Sequence, residues 1–356
     1  MKRSAFLIAI VMLIAVTDMN ISTAQSPVQK ASPVIRPETT FIAEPVTLET
    51  PTGTLYGTLE RPQSRSAVPV VLIIAGSGPT DRDGNSPLLT GPNNSLKLLA
   101  AGLAAQGIAS VRYDKRGIGE TGKAMQLAAE KAKTPLREED LNFETLIDDA
   151  VRWGKQLHAD RRFSSLTIIG HSEGSLIGMV TAQKIGAHAF VSIAGAGRSL
   201  QEIILDQFKS QLTPDLLKTT ADILDQLAAG KTVESVPAEL MILLRPSVQP
   251  YLISWLRYDP SKEISKLRVP VLIVQGTTDM QTRPADAKRL ADGNPTAKLL
   301  LIDGMNHVLK TVANEMDKQV ASYSDPALPV TPELISSISK FVNQTKSRQS
   351  RRSSGA

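Results

Sequence analysis
No cysteine occurs in the 356 residues, which excludes a disulfide framework and a lipid-anchored cysteine behind an export signal. Histidine is almost as scarce: there are four, at 158, 171, 188 and 307, so imidazole chemistry has few places to reside. Net charge indicates no partner either. The formal total is +5, but Lys2, Arg3 and Asp18 lie in the first segment and Lys346, Arg348, Arg351 and Arg352 in the last, leaving the body between them neutral. A basic end rich in Ser and Gln reads as a solvated, disordered tail over 346–356, without implying nucleic-acid binding. The amino-terminal apolar run, 5–16, is shorter than the roughly 20 residues that span a bilayer. Preceded by Lys2 and Arg3 and followed by Ser22-Thr23-Ala24, it has the layout of a cleavable signal peptide over 1–24, with a mature start at Gln25. The expected compartment is a bacterial periplasm or the medium, with no stable membrane anchor after cleavage.

What is present is an ample supply of apolar residues, 42% of the chain, enough for a sizeable core. Residues 25–40, with prolines at 27, 33 and 37, read as an extended leader. Two alternating stretches, 45–50 and 54–59, flank the turn Pro51-Thr52-Gly53 and predict an antiparallel hairpin. Beyond it the pattern changes to short continuous apolar runs at 70–74, 108–113, 166–169, 189–193, 269–274 and 298–302. Runs without polar alternation are strands buried on both faces, the signature of a mostly parallel sheet. Helices are expected between them, over 95–106, 142–157, 174–184, 285–292 and 332–344. From 197 to about 266 this rhythm stops and four helical stretches follow one another, at 200–212, 214–229, 237–244 and 247–256. Such an excursion between two late strands reads as a helical cap. No internal repeat is present.

Directly after the run 166–169 stands Gly170-His171-Ser172-Glu173-Gly174, and directly after that a helical pattern begins. Strand, Gly-x-Ser-x-Gly, then helix is a nucleophile elbow, in which the two glycines leave room for a tight reversal that presents the serine hydroxyl. A serine nucleophile needs a base. His171 is inside the elbow, His158 in a helix and His188 at the opening of a strand, whereas His307 follows the last strand in a loop that can reach back to Ser172. The imidazole needs a carboxylate to fix its tautomer. Asp279 follows the run 269–274 at a strand end, and Asp303 is the runner-up. The oxyanion of an acyl-transfer intermediate needs two N–H donors, one from Glu173 and one from the loop Ala75-Gly76-Ser77-Gly78, with Ser77 preferred and Gly78 next. The absence of a following Gly-Lys-Ser/Thr argues against a phosphate loop there. Gly76, Gly78, Tyr251, Trp255 and Phe208 are candidate substrate contacts, the aromatic residues being equally readable as packing within the cap. The dense charges Asp81-Arg82-Asp83 read chiefly as pairing with one another and with Asp114, Lys115 or Arg116.

The elbow, the chain order Ser, Asp, His and the cap together resemble the α/β-hydrolase superfamily over about 48–342. More narrowly, the segments 76–85 and 113–119, with Gly170-His171-Ser172-Glu173-Gly174-Ser175 and Gly304-Met305-Asn306-His307-Val308-Leu309-Lys310, look like a group of bacterial carboxylesterases related to the serine aminopeptidase branch. The resemblance implies an α/β-hydrolase core over 41–198 and 267–345, a cap over 199–266, and hydrolysis of short-acyl esters without a cofactor or metal. A small-molecule ester is the expected partner. The alternatives are a peptidase releasing amino-terminal residues, with Glu239, Asp259 and Glu263 available for the substrate amine, and a binding protein on an inactive scaffold. A dehalogenase is disfavoured, because that chemistry needs a carboxylate where Ser172 stands. Oligomeric state is not legible in the sequence.

Overall fold
The computed structural model describes residues 41–353; the expected signal segment, the leader and residues 354–356 lie outside it. β1 (Phe41–Thr50) and β2 (Gly53–Pro62) form the expected hairpin, each strand longer than its alternating pattern indicates. β3 (Val68–Ile74), α1 (Ser95–Ala105), β4 (Ala109–Tyr113), α2 (Gly119–Ala132), α3 (Phe143–Ala159), β5 (Phe163–His171), α4 (Glu173–Ile185) and β6 (Ala189–Ile193) follow. Between β6 and the next strand the chain inserts α5 (Leu200–Phe208), α6 (Pro214–Ala228), α7 (Met241–Leu244), α8 (Gln249–Leu256) and α9 (Pro260–Ser265). The sheet resumes with β7 (Val271–Gly276), α10 (Pro284–Gly293) and β8 (Lys298–Ile302), and α11 (Met316–Ser322) and α12 (Pro332–Ser353) close the chain.

The eight strands form one sheet in the order β1-β2-β4-β3-β5-β6-β7-β8. Every pairing from β4 to β8 is parallel, and the hairpin joins β4 antiparallel at one edge. The residues of β3, β6 and β7 are almost all buried because both faces of the central sheet are covered, whereas β8, expected to be buried on both faces, lies at the edge and leaves Leu299 and Leu301 exposed. Val70, Leu72 and Ile74 of β3 enter one apolar cluster, with α3, α4 and the insertion, while Val71 and Ile73 enter the other, with α1 and α12. The parallel strands therefore end together at one rim, and the loops after β3, β5 and β7 gather there.

Three helices were not anticipated. In α2 only Thr121 is buried, so it lacks the apolar stripe by which a helix is read from sequence. It is tied down instead by polar bonds: Thr121 Oγ1 accepts from the Tyr56 amide at 2.9 Å and donates to the Asp114 carbonyl at 3.0 Å. α9 and α11 are short, with few buried residues to set a period. At the other end, α12 continues to Ser353, through much of the stretch read as a disordered tail. Lys, Arg and Gln form helices well, and no Gly or Pro interrupts the helix there.

Candidate active site
The reversal after β5 is tight. Ser172 has φ 55° and ψ −122°, a conformation that L-residues seldom adopt and that costs on the order of 1–3 kcal/mol. It is held there by its own amide, which donates to the Ile193 carbonyl at 3.0 Å, and by its carbonyl, which accepts from Ser175 N at 2.9 Å. Side chains on the flanking glycines would have no room. A Cβ on Gly170 would collide with Gly174 and Ser175 backbone, and one on Gly174 with the carbonyls of Ile74 and Ala75. The elbow is thus pressed against the end of β3, and a Cβ on Gly76 would lie only 3.1 Å from that of Ser172. Glu173 begins α4, so its N–H points out of the helix's positive end beside the serine.

Asp279 stands in the loop after β7 and is buried, with both carboxylate oxygens occupied. Oδ1 accepts from the amides of Gln281 (2.8 Å) and Thr282 (3.0 Å), while Oδ2 accepts from Thr282 Oγ1 (3.0 Å) and Gln275 Nε2 (3.1 Å). His307 Nδ1 also bonds Oδ2, at 2.9 Å. Burial alone would push this carboxyl up, but the positive charge and hydrogen bond of His307, with the two backbone amides, outweigh it and hold its pKa below the ordinary value. The runner-up, Asp303, is exposed and accepts from Thr277 Oγ1 at 3.0 Å, which ties the loops after β7 and β8 together. The contact with His307 falls to Asp279.

His307 is buried in a loop cross-braced by Asn306, whose amide donates to the Lys310 carbonyl at 2.9 Å and whose side chain donates to Ser322 Oγ at 2.7 Å. His171, the residue before Ser172, supports it from the other side. The two rings lie 4.8 Å apart, and His171 Nε2 donates to the His307 carbonyl at 2.8 Å. Burial, and then the neighbouring His307, pull the His171 pKa down to about 3, so this ring is neutral. Ser172, Asp279 and His307 are thereby brought to one rim from the ends of β5, β7 and β8.

Ser172, Ser77 and Glu173 open into a cavity that is partly open to solvent. Its walls are largely apolar: Leu176, Leu200, Ile203, Ile204 and Trp255 line it. Of the expected substrate contacts, Trp255 faces this space, whereas Gly78 and Tyr251 line a neighbouring crevice, and Gly76 and Phe208 line neither. Tyr251 instead donates from its hydroxyl to Glu173 Oε2 at 3.0 Å. Leu176, Thr282 and Arg198 were missed, being ordinary helix and loop residues in sequence. Arg198 Nε and Nη2 bond Asp286 at 2.9 and 3.1 Å, and Nη1 bonds Asp206 at 2.8 Å, so its charge is neutralised at the cavity wall.

The loop 81–83 is a pairing network, as expected, although its partners differ in part. Arg82 bonds Asp114 and Glu120, while Asp83 Oδ1 accepts from Arg112 Nε and Nη2 at 3.1 and 3.0 Å. Lys115 and Arg116 turn elsewhere, Lys115 to Glu173 and Arg116 to Asp149. Among the described residues no cluster of three His, Asp or Glu side chains could hold a metal ion.

Comparison with known proteins agrees with this geometry. A family model described as Serine aminopeptidase, S33, matches residues 94–252, which include the elbow and much of the insertion. Esterase EstD of Thermotoga maritima is 28% identical over 258 residues, 72% of this chain; the chain spans 58% of that relative's length. Est1E from Butyrivibrio proteoclasticus, solved with ferulic acid bound, superposes with a TM-score of 0.55 at 16% identity, covering 84% of this chain and 98% of that one. DcsB, solved with a substrate analogue, gives 0.52 at 16% identity, covering 85% and 100%. With the strand order, the elbow and these likenesses in agreement, the chain has the α/β-hydrolase fold.

Proposed function
We propose that the protein is an exported serine hydrolase that cleaves carboxylic esters of short acyl chain through an acyl-enzyme. The observation that carries the reading is the 2.9 Å bond from His307 Nδ1 to buried Asp279, beside a serine held at positive φ on the elbow. With Nδ1–H committed to Asp279, His307 Nε2 is left free as a base. It takes the Ser172 proton as Oγ attacks the ester carbonyl, and Asp279 stabilises the imidazolium that forms. The N–H groups of Ser77 and Glu173 hold the oxyanion. Collapse of the intermediate returns the proton from His307 to the departing alcohol, leaving the acyl group on Ser172. A water, deprotonated by His307 in turn, attacks the acyl-enzyme and releases the acid.

Esters are favoured over amino-terminal peptides by the carboxylates. A peptidase needs an unpaired acid for the substrate amine, and none lines the cavity among the described residues. Asp259 caps α9, Glu263 bonds Lys266 at 2.6 Å, and Glu239 is exposed. The name of the Thermotoga maritima relative supports the same choice. The short-acyl element rests on the motif likeness to carboxylesterases, and export on the signal layout of 1–24, for which the amino terminus of the exported protein is expected to read Gln25.

The test is hydrolysis of p-nitrophenyl esters from acetate upward beside aminoacyl p-nitroanilides, with wild type and Ser172→Ala. Ester turnover that falls with chain length and disappears in Ser172→Ala is expected. Turnover of anilides without ester preference transfers the assignment to a peptidase. Failure of a fluorophosphonate to label Ser172 refutes the serine mechanism.

A further inference from the structure
Lysine is among the residues least often fully buried, yet Lys115 is 5% exposed. It stands just beyond β4, and its ammonium reaches the rim behind the elbow. There it donates to the Gly76 carbonyl and, at 3.1 Å, to Glu173 Oε1. The second oxygen of Glu173 accepts the Tyr251 hydroxyl from α8 at 3.0 Å. Burial, then the charge of Glu173, keep the Tyr251 pKa well above its ordinary value, so the phenol remains a donor.

An ion pair placed only for stability needs no particular neighbour. This one is attached to the two peptide segments that carry the oxyanion donors. The Gly76 carbonyl belongs to the same planar peptide unit as the Ser77 N–H, and in a trans unit the two groups point in opposite directions. Gripping the carbonyl therefore fixes the direction of the N–H. Glu173 supplies the other N–H, and its side chain is gripped by the same ammonium. We infer that Lys115 is a positioning residue for the oxyanion hole, one ammonium setting the Ser77 and Glu173 amides at a common spacing, with Tyr251 keeping Glu173 in place. Its charge also polarises the Gly76–Ser77 peptide in the sense that favours an anion at the Ser77 N–H. The inference rests on the ester-hydrolase reading.

Lys115→Met removes the ammonium at similar length. A positioning role predicts that kcat on a short-acyl p-nitrophenyl ester falls by about 10- to 100-fold, somewhat less than the loss of a whole donor, while KM changes by less than about threefold. It also predicts that Ki for an alkyl trifluoromethyl ketone, whose adduct with Ser172 carries an oxyanion, rises by the factor that kcat/KM falls. Unchanged kcat overturns the inference, as does a lower kcat with an unchanged ketone Ki. If Lys115→Met does not fold, Glu173→Gln, which keeps the side-chain shape and removes the charge that seats the ammonium, carries the same expectation at smaller size. A wild type that neither turns over esters nor labels with a fluorophosphonate removes the underlying reading. An active wild type with indifferent Lys115→Met and Glu173→Gln variants removes this inference alone.

Discussion
Asp279→Asn separates the orienting role of this carboxylate from its place in the structure. The Asn carbonyl can retain the two backbone bonds now made by Oδ1, from Gln281 and Thr282. Its amide nitrogen then occupies the place of Oδ2, which accepts from Gln275 Nε2, Thr282 Oγ1 and His307 Nδ1. Two of those donors adapt: the hydroxyl rotates, and the imidazole moves its proton from Nδ1 to Nε2. The Gln275 amide then faces another donor but keeps the carbonyls of Gly276 and Thr282 as acceptors, at 3.2 and 2.9 Å, so the cost in stability is about 1 kcal/mol. The tautomer change costs more in rate, because Nε2 is the nitrogen that must take the serine proton. A loss of about 10⁴ in kcat follows, or about 5.5 kcal/mol of barrier. The assay is steady-state hydrolysis of a p-nitrophenyl ester by Asp279→Asn and Asp303→Asn, with thermal unfolding of both. Among the described residues the Asp303 side chain bonds only Thr277, at the exposed rim, so its variant keeps wild-type kcat within about twofold. An Asp279→Asn enzyme with a tenth or more of wild-type kcat would refute the argument.

His171 gives stability a pH dependence. Its folded pKa, about 3, lies below the unfolded 6.5, so the contribution is present above about pH 6.5 and is lost as pH falls from there toward 3. At pH 4.5 the loss is about 2–3 kcal/mol, and the urea midpoint should fall accordingly in wild type but less steeply in His171→Gln. Trp255 stacks on Phe143, with centroids 5.3 Å apart, and walls the cavity. Trp255→Ala is expected to raise the octanoate-to-butanoate ratio of kcat/KM by about tenfold, as removing the indole makes room for extra methylenes, at about 3 kcal/mol in stability. An unchanged ratio would place the acyl chain elsewhere.

Legibility in the sequence followed the physics of each element. Strand β6 was readable to the residue because a sheet covered on both faces writes an uninterrupted apolar run between breakers, whereas β8, equally readable in its bounds, is an edge strand whose Leu299 and Leu301 are exposed. That Ser172, Asp279 and His307 would meet at one rim was legible because a turn motif and the strand ends fix where a loop residue emerges. Side-chain direction was not. Tyr251, equally readable as pocket wall or cap packing, bonds Glu173 beside a crevice that it also lines, and Lys115, read with the charged loop, reaches the elbow instead. Both depend on how the insertion and the β4 loop fold back over the rim. That is tertiary information, carried by no local period.

Ile223, Leu224, Leu227, Leu244 and Leu252 of the insertion belong to the same apolar cluster as Leu72 and Ile168 of the sheet. The roof over the serine and the floor beneath it are thus one interior. A chimera that exchanges residues 199–266 with those of a relative would import half of a core and leave the other half mismatched. Altering substrate range by grafting therefore requires the facing residues of α3 and α4 to travel with the insertion, whereas substitutions confined to the cavity wall leave that shared interior intact.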